Sequence, residues 1–200
     1  MVETAPNLGD QDQSLRARKL AHSRAHVTET AWRLFLARGY DDVTVAEIAD
    51  AAGVARRTVH RYVTVKSDLV FGHEGEIVGL VEEVVAAAPP GASVRGVLVH
   101  ALRGLAARWP TSREEAAARA QVIAGSAELV ERELAKRARM RELVVDALRS
   151  ARPAAPELEL AVWAESGLAA FYLASSEWVA GRAELPEALD RVLGYLAAQE

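Results

Sequence analysis

Apolar residues recur every three or four positions along most of the chain, the spacing that places them on one face of an α-helix. No stretch alternates apolar and polar residues for long enough to predict a β-strand. Clusters of glycine, proline and aspartate separate the apolar stretches, and we expect the turns between helices there. The pattern predicts an all-α protein of about nine helices, with no internal repeat of fixed period.

Two short predicted helices joined by a glycine lie near the N-terminus. A longer helix over residues 14–38 precedes them and ends at Gly39. Thr44 and Glu47 have the spacing of a capping box, in which each side chain accepts a hydrogen bond from the other residue's backbone N–H. The helix that starts there ends at Gly53, which permits a positive φ, and a third helix follows. The three helices have the proportions of a helix-turn-helix domain.

The third helix is expected to present a surface that suits DNA. If Val59 and Tyr62 face inwards, the basic and hydroxyl side chains of this helix lie outside. Arginine can bind O6 and N7 of guanine in a fork, whereas hydroxyl and lysine groups suit phosphates. The candidate DNA-binding residues on this helix and just after it are Arg56, Arg57, Thr58, His60, Arg61 and Lys66. The alternative is a small helical bundle whose arginine face meets only solvent.

Charge is distributed unevenly along the chain. Residues 14–66 contain ten basic and five acidic side chains and carry +5, whereas residues 67–200 carry −6 and the whole chain −4. A basic unit joined to an acidic body is typical of a protein in which one end meets an anionic partner. We expect a disordered tail over residues 1–13, a helix-turn-helix domain over 14–66 and a helical body over 67–200.

Four fragments resemble the DNA-binding domain of the TetR family of bacterial regulators in order and spacing. They are AWRLFLARGY from Ala31, TVAEIADAAGV from Thr44, TVHRY from Thr58 and KSDL from Lys66, and the resemblance covers about residues 16–72. It implies a homodimer that binds a palindromic double-stranded DNA operator and releases it on binding a small-molecule effector. The C-terminal body is then the effector-binding and dimerisation domain.

The resemblance also implies roles for individual residues. It places Thr44, His60 and Lys66 on phosphates, and Arg56, Arg57, Thr58 and Arg61 in the groove. Three positions depart from the family pattern, because His60 replaces the usual aromatic residue and Val63 and Val65 replace the common phenylalanine and serine. The RRTxxRY version of the third helix, together with LASSEW ending at Trp178, resembles an actinobacterial branch that includes the regulator of the mycofactocin system.

Polar side chains interrupt the apolar faces of two predicted body helices. Arg137 and Arg141 lie in the middle of the helix over 126–151, and Glu165 shares a face with apolar residues in the helix over 156–180. A buried unpaired charge costs several kcal/mol, so these groups pair with each other, extend to solvent or hold the carboxylate or phosphate of a ligand. The candidate effector-binding residues are His100, Trp109, Arg137, Arg141, Glu165 and Tyr172, with His100 and Trp109 alternatively ordinary core residues.

The helix over 156–180 is apolar on two sides, which predicts that both sides are buried. One side, with Leu158, Val162, Ala169 and Tyr172, is expected to face the body. The other is expected to pack with the last helix against a second subunit, as the resembled family does, and the alternative is burial within one subunit. The candidate dimer residues are Trp163, Gly167, Ala170, Phe171, Ala174, Trp178, Leu189, Val192, Leu193 and Leu196.

The sequence contains no sign of catalytic or metal chemistry. Cysteine is absent, which excludes disulfides and thiolate sites, and no P-loop or nucleophile elbow occurs. His22 and His26 have a metal-ligand spacing but belong to a polar stripe with Arg33, which favours a solvated surface. No apolar run approaches the roughly 18 residues of a membrane span, and the N-terminus lacks an apolar signal core.

We therefore expect a cytoplasmic, homodimeric TetR-type regulator with no catalytic residues, metal or cofactor, most simply a repressor. The alternatives are an architectural DNA-binding protein without an effector and a helical enzyme that uses the body cavity.

Overall fold

The computed structural model describes residues 8–72 and 74–197, with side chains described from Leu20 onward except those of Glu74 and Glu76. This part of the chain contains ten α-helices and no strand, which confirms the all-α prediction. The helices are α1 (Leu8–Arg38), α2 (Val45–Ala51), α3 (Arg56–Tyr62), α4 (Asp68–Phe71), α5 (Glu74–Ala86), α6 (Val94–Ala107), α7 (Arg113–Ala124), α8 (Ala127–Ala151), α9 (Glu157–Val179) and α10 (Leu185–Ala197).

The chain divides into two compact units after Gly72. The first unit contains α1 to α4, and α1 packs against each of the three shorter helices. Val27 and Phe35 of α1 and Val59 of α3 are at most 1% exposed and form the centre of its core. The ring of Tyr40 lies 5.2 Å from that of Phe35, measured between centroids, and connects the end of α1 to this core.

Two stretches differ from the expected helix boundaries. Helix α1 begins at Leu8, so residues 8–13, expected in a disordered tail, are helical. Residues 1–7 of that expected tail lie outside the described part of the chain. Residues 67–88, whose apolar periodicity alone would predict one helix, form two helices, α4 and α5.

The separation of α4 from α5 follows from where their apolar side chains are buried. Leu69, Val70 and Phe71 of α4 are at most 4% exposed, and α4 packs against α1. Val81 and Val84 of α5 belong instead to the core of the second unit. Helix α4 packs into the core of the first unit and α5 into the core of the second. The two segments therefore form separate helices although they share one apolar periodicity.

The second unit contains α5 to α10 around a central α6. Helix α6 packs against α5, α8, α9 and α10, and its residues Val97, Leu98 and Leu102 are at most 7% exposed. Helix α9 approaches it closely at Gly167, where an added Cβ would lie 2.6 Å from Cδ1 of Leu98. Only a glycine fits this approach without movement of the leucine.

The orientation of α9 contradicts the predicted dimer face. The side expected to meet a second subunit lies in the subunit's own core, and the side expected to face the body is exposed, with Leu158 at 77% and Val162 at 52%. The residues buried in this core are Gly167, Ala170, Phe171, Ala174 and Trp178 of α9, with Leu189 and Leu193 of α10. Trp163 and Val192 are partly buried against it, and Leu196 is 44% exposed.

The physical reason is that α9 is apolar on both sides, so periodicity defines two faces without indicating which one meets α6. The side with small residues and aromatic rings fits the close helix contact at Gly167.

Among the described helices, none combines the length and the apolar character that a membrane span requires.

Candidate DNA interface and internal cavity

The capping box predicted at the start of α2 is confirmed. The Thr44 hydroxyl accepts a hydrogen bond from the Glu47 backbone N–H at 3.2 Å, and Oε2 of Glu47 accepts one from the Thr44 backbone N–H at 2.8 Å. The Thr44 hydroxyl also donates to Oε2 of Glu47 at 2.8 Å, and Nη2 of Arg38 lies 2.8 Å from Oε1. The backbone bond from Thr44, its hydroxyl and then Arg38 together lower the pKa of Glu47 from 4.5 to about 2.

The turn between α2 and α3 has the geometry that its sequence predicts. Gly53 has a φ of +64°, a left-handed conformation that favours glycine. The backbone N–H of Val54 donates to the carbonyl oxygen of Ala49 at 3.0 Å and closes the turn. Helix α3 then begins at Arg56, so the two helices are joined by four residues.

Helix α3 is held by its apolar side and presents its basic side to solvent. Val59 is fully buried, and the Tyr62 hydroxyl donates to Oγ of Ser23 on α1 at 2.8 Å. That bond is the main cause of a lowered pKa of Tyr62. The candidate DNA-binding side chains Arg56, Arg57, His60 and Arg61 are exposed, and Thr58 is half-buried.

Two of the arginines on α3 differ in their surroundings. The guanidinium of Arg61 lies 5.3 Å from the centre of the Tyr62 ring, and its Nη2 donates to the Tyr62 hydroxyl at 3.1 Å. Arg57 is exposed and is the second residue of α3, in its N-terminal turn. Arg61 is therefore held against the ring and hydroxyl of Tyr62.

Lys66 occupies a more enclosed position than its predicted phosphate contact requires. Its Nζ donates to the carbonyl oxygens of Tyr40 at 2.9 Å and Val43 at 3.0 Å, and it lies 3.8 Å from the centre of the Tyr40 ring. An ammonium group has three donors, so these two bonds leave one N–H for a further acceptor. Lys66 thereby fastens the segment after α3 to the loop that leads into α2.

A cavity of about 90 Å³ lies within the second unit, between α5, α6, α8 and α9. Its walls are almost entirely apolar, with Trp109 and Phe171 in contact at 5.0 Å between ring centroids. Helix α8 contributes four lining residues spaced four apart, namely Lys136, Met140, Val144 and Leu148. Sequence reasoning missed Lys136 and Met140, although their spacing with the two buried residues of α8 could have indicated them.

The candidate effector residues fall into three groups. Trp109 and Tyr172 line the cavity. Tyr172 also lines an open depression on the surface between α8 and α9, together with Arg137, Arg141 and Glu165. His100 is exposed on α6 and borders neither concavity, because the neighbouring Val97 and Ala101 face the core.

The charged groups of the depression interact with one another without being buried. Nε of Arg141 lies 3.5 Å from Glu165, the pair that the sequence offered as one alternative. The guanidinium of Arg137 lies 4.3 Å from the centre of the Tyr172 ring, and its Nε lies 3.7 Å from Glu133. Burial, the largest effect, raises the pKa of Tyr172.

Residues 27–71 match the family described as bacterial regulatory proteins, tetR family. This stretch of the chain is therefore similar to the TetR family. The match covers the end of α1 and all of α2, α3 and α4. It therefore coincides with the helices of the first unit, where the exposed arginines lie.

Two curated relatives match this chain over limited stretches. It is 36% identical to the mycofactocin biosynthesis transcriptional regulator MftR of Mycobacterium tuberculosis over 76 residues, which are 36% of this chain and 38% of that protein. It is 40% identical to the HTH-type transcriptional regulator TcmR of Streptomyces glaucescens over 57 residues, 28% of this chain and 25% of that protein. The matched stretches thus span well under half the length of both relatives.

The likeness to solved structures extends over the whole fold. Thermus thermophilus FadR, a TetR-family transcriptional repressor solved in complex with lauroyl-CoA, superposes with a TM-score of 0.56. The match covers 87% of this chain and 93% of that one, at 23% sequence identity. It places the helical second unit, which the family match does not cover, in the same fold.

Proposed function

We propose that this protein is a TetR-family transcriptional regulator that binds duplex DNA in a sequence-dependent way through α3. The observation that carries the proposal is the geometry of this helix. It is anchored through Val59 and the Tyr62–Ser23 bond, follows a tight turn at Gly53, and exposes basic side chains along its outer side. A rigidly held helix of this kind fits the major groove.

Within this proposal, Arg56, Arg57, Thr58 and Arg61 meet base edges. Lys66 meets a phosphate through its remaining N–H, His60 meets a phosphate from the exposed side of α3, and Thr44 does so by exchanging its bond to Glu47. Phosphate contacts fix the position of a protein on DNA, whereas base contacts set the sequence that it prefers. The two groups should therefore respond differently to mutation.

Selection of bound duplexes from a random pool tests the proposal directly. We expect a palindromic sequence to emerge, with half-sites about one helical turn, or 34 Å, apart. Lys66→Ala should weaken binding to all duplexes alike and lower the salt slope by about one. Recovery of no preferred sequence would contradict the proposal.

We further propose a homodimer formed by the exposed apolar side of α9 together with α10. Leu158, Val162 and Leu173 of α9 are 52–77% exposed, and Tyr195 and Leu196 of α10 are 75% and 44% exposed. Contiguous exposed apolar side chains are typical of interaction surfaces. This face replaces the buried one that the sequence suggested.

The dimer is tested by sedimentation velocity of two matched variants. Introducing charge in Val162→Glu should convert the protein to monomers. Leu134→Glu is the control, because Leu134 is equally apolar and 58% exposed but lies on α8, outside the proposed face. Dissociation by both variants, or by neither, would remove α9 from the interface.

The cavity supports the proposal that a small-molecule effector controls DNA binding, as a repressor released by its ligand would require. Helix α5, which lines the cavity through Ile77 and Val81, begins two residues after the first unit ends. A ligand that favours a different position of α5 would change the first unit's presentation to DNA. A shift from 1:99 to 99:1 requires about 5.5 kcal/mol of differential affinity. The test is whether a compound that quenches Trp109 fluorescence also releases operator DNA.

A further inference from the structure

We propose that the second unit binds an amphiphilic anion, whose apolar part fills the cavity and whose carboxylate or phosphate lies against Arg137 and Arg141. This inference deepens the proposed effector function and rests on it only for the consequence of binding. It depends on three features of the second unit, namely the walls of the cavity, the side chains that it shares with the surface depression, and the charge of that depression.

The cavity selects an apolar group. Its described lining contains a single charged side chain, Lys136. The other lining residues are apolar or aromatic and belong to α5, α6, α8 and α9, except Trp109, which follows α6. About 90 Å³ is several times the space that one water needs, but apolar walls offer water few hydrogen-bond partners. Burying a hydrocarbon chain there removes apolar surface from water on both sides.

The cavity and the surface depression share part of their walls. Leu168 and Tyr172, one turn apart on α9, line both. Rotation of these two side chains would join the interior to the depression without displacing a helix. A ligand that extends through this position therefore has its apolar end among Leu, Val and aromatic residues and its other end beside Arg137 and Arg141.

The depression has an excess of positive charge although the second unit as a whole is acidic. Arg137 and Arg141 line it with one carboxylate, Glu165. Behind Arg137, the carboxylate of Glu133 lies within 4.0 Å of both Arg119 and Lys136. The lining of the depression itself thus has two cations and one carboxylate, and its net charge is positive.

The two arginines retain the capacity to bind an anion. Their ion-pair distances of 3.7 Å to Glu133 and 3.5 Å to Glu165 exceed the 2.7–2.9 Å or so of charge-assisted hydrogen bonds. Each guanidinium has five N–H donors in a planar fork that matches a carboxylate or phosphate. Arg137 is also oriented by its contact with Tyr172, the residue at the shared wall.

The experiment compares three ten-carbon ligands by calorimetry on the full chain without DNA. Decanoate and decyl phosphate carry the two anionic head groups, and decanol carries a neutral one on a similar chain. We expect both anions to bind at least about tenfold more tightly than decanol. The relative affinity of decanoate and decyl phosphate distinguishes a carboxylate ligand from a phosphate ligand.

Three variants assign the binding to its parts. Arg137→Gln combined with Arg141→Gln should reduce the preference for anions over decanol to about twofold, and Arg139→Gln, an exposed arginine of the same helix outside the depression, should preserve it. Ala101→Leu, which fills the cavity from α6, should weaken all three ligands by about tenfold. Circular dichroism verifies that each variant is folded.

Decanol binding as tightly as the anions, or an anion preference that survives the double substitution, would overturn the inference. Neither result depends on DNA, so duplex selection can succeed while this inference fails. Conversely, anion binding that follows the expected pattern in a protein without sequence preference would leave the inference standing and contradict the proposed function.

Discussion

Each unit of this protein contains a helix that starts with a complete capping box, formed by Thr44 and Glu47 in the first unit and by Ser112 and Glu115 in the second. The first box leads to a turn at Gly53 and then to α3. The second leads to α7, in which only Val122 is buried. The same local signal therefore precedes a well-defined site in one unit and a peripheral helix in the other.

The two units differ in the sequence separation of the residues whose contacts determine their structure. In the first, hydrogen bonds between residues three to five positions apart fix where α2 starts and how α3 follows. In the second, α9 has two apolar sides, and contact with α6 decides which of them is buried. Local signals suffice to predict α2, the turn and α3, whereas the faces of the helices in the second unit depend on contacts between distant helices.

The largest expected effect tests the orientation of α9. Trp178 is 7% exposed and belongs to the core, so Trp178→Ala should lower the free energy of unfolding by about 3–5 kcal/mol. Leu158→Ala, at a position that is 77% exposed, should change the unfolding of a dilute, monomeric sample by less than about 0.5 kcal/mol. Urea denaturation measures both. Equal losses would show that α9 is oriented differently.

A smaller effect concerns DNA reading by the first unit. Arg57→Ala should cost about 1–3 kcal/mol of binding to the selected duplex and relax the preference at one base position. Binding to unrelated duplexes should change much less, because phosphate contacts remain. Arg113→Ala in the second unit is the charge-matched control. Fluorescence anisotropy at fixed salt measures each affinity, and an unchanged base preference would exclude Arg57 from direct readout.

The two capping boxes allow a direct comparison between the units. Thr44→Ala and Ser112→Ala each remove a side chain that accepts a backbone N–H, and each should cost about 1 kcal/mol of stability. Only Thr44→Ala should also weaken DNA binding, because α2 supports α3. Hydrogen exchange identifies the unit that is destabilised. Loss of DNA binding in the Ser112 variant would show that the units are coupled through more than local structure.

The smallest effect is a pH dependence that originates at Glu47. Hydrogen bonds from Thr44 and the nearby Arg38 stabilise its carboxylate and lower its pKa from 4.5 to about 2. This contribution to stability is therefore complete above about pH 4.5 and is lost as the pH falls towards 2. Over that range wild-type stability should decline more steeply than that of Glu47→Gln. An NMR titration of the Glu47 carboxyl checks the pKa itself, and a midpoint near 4.5 would contradict the bonded geometry.

Sequence reasoning predicted the helix-turn-helix closely but only part of the second unit. Caps and left-handed turns require particular residue types, so the structural roles of Thr44, Glu47 and Gly53 can be predicted from the sequence. The pairing of Arg141 with Glu165 was one of several alternatives that the sequence left open. Lys66 illustrates what local sequence cannot predict. Its Nζ donates to two carbonyl oxygens of a loop more than 20 residues earlier, and the residues next to Lys66 give no indication of these bonds.

The sequence by itself determined that the chain is helical, where α3 begins, and which side of that helix is basic. These features depend on hydrogen bonds and backbone conformations that act over a few residues. Only the tertiary structure decided which side of α9 is buried and that α4 and α5 pack into different cores. It also decided that the cavity shares two lining residues with a depression that contains two arginines. Burial of apolar surface has no preferred direction along the chain, so the choice between two apolar faces is made where helices meet.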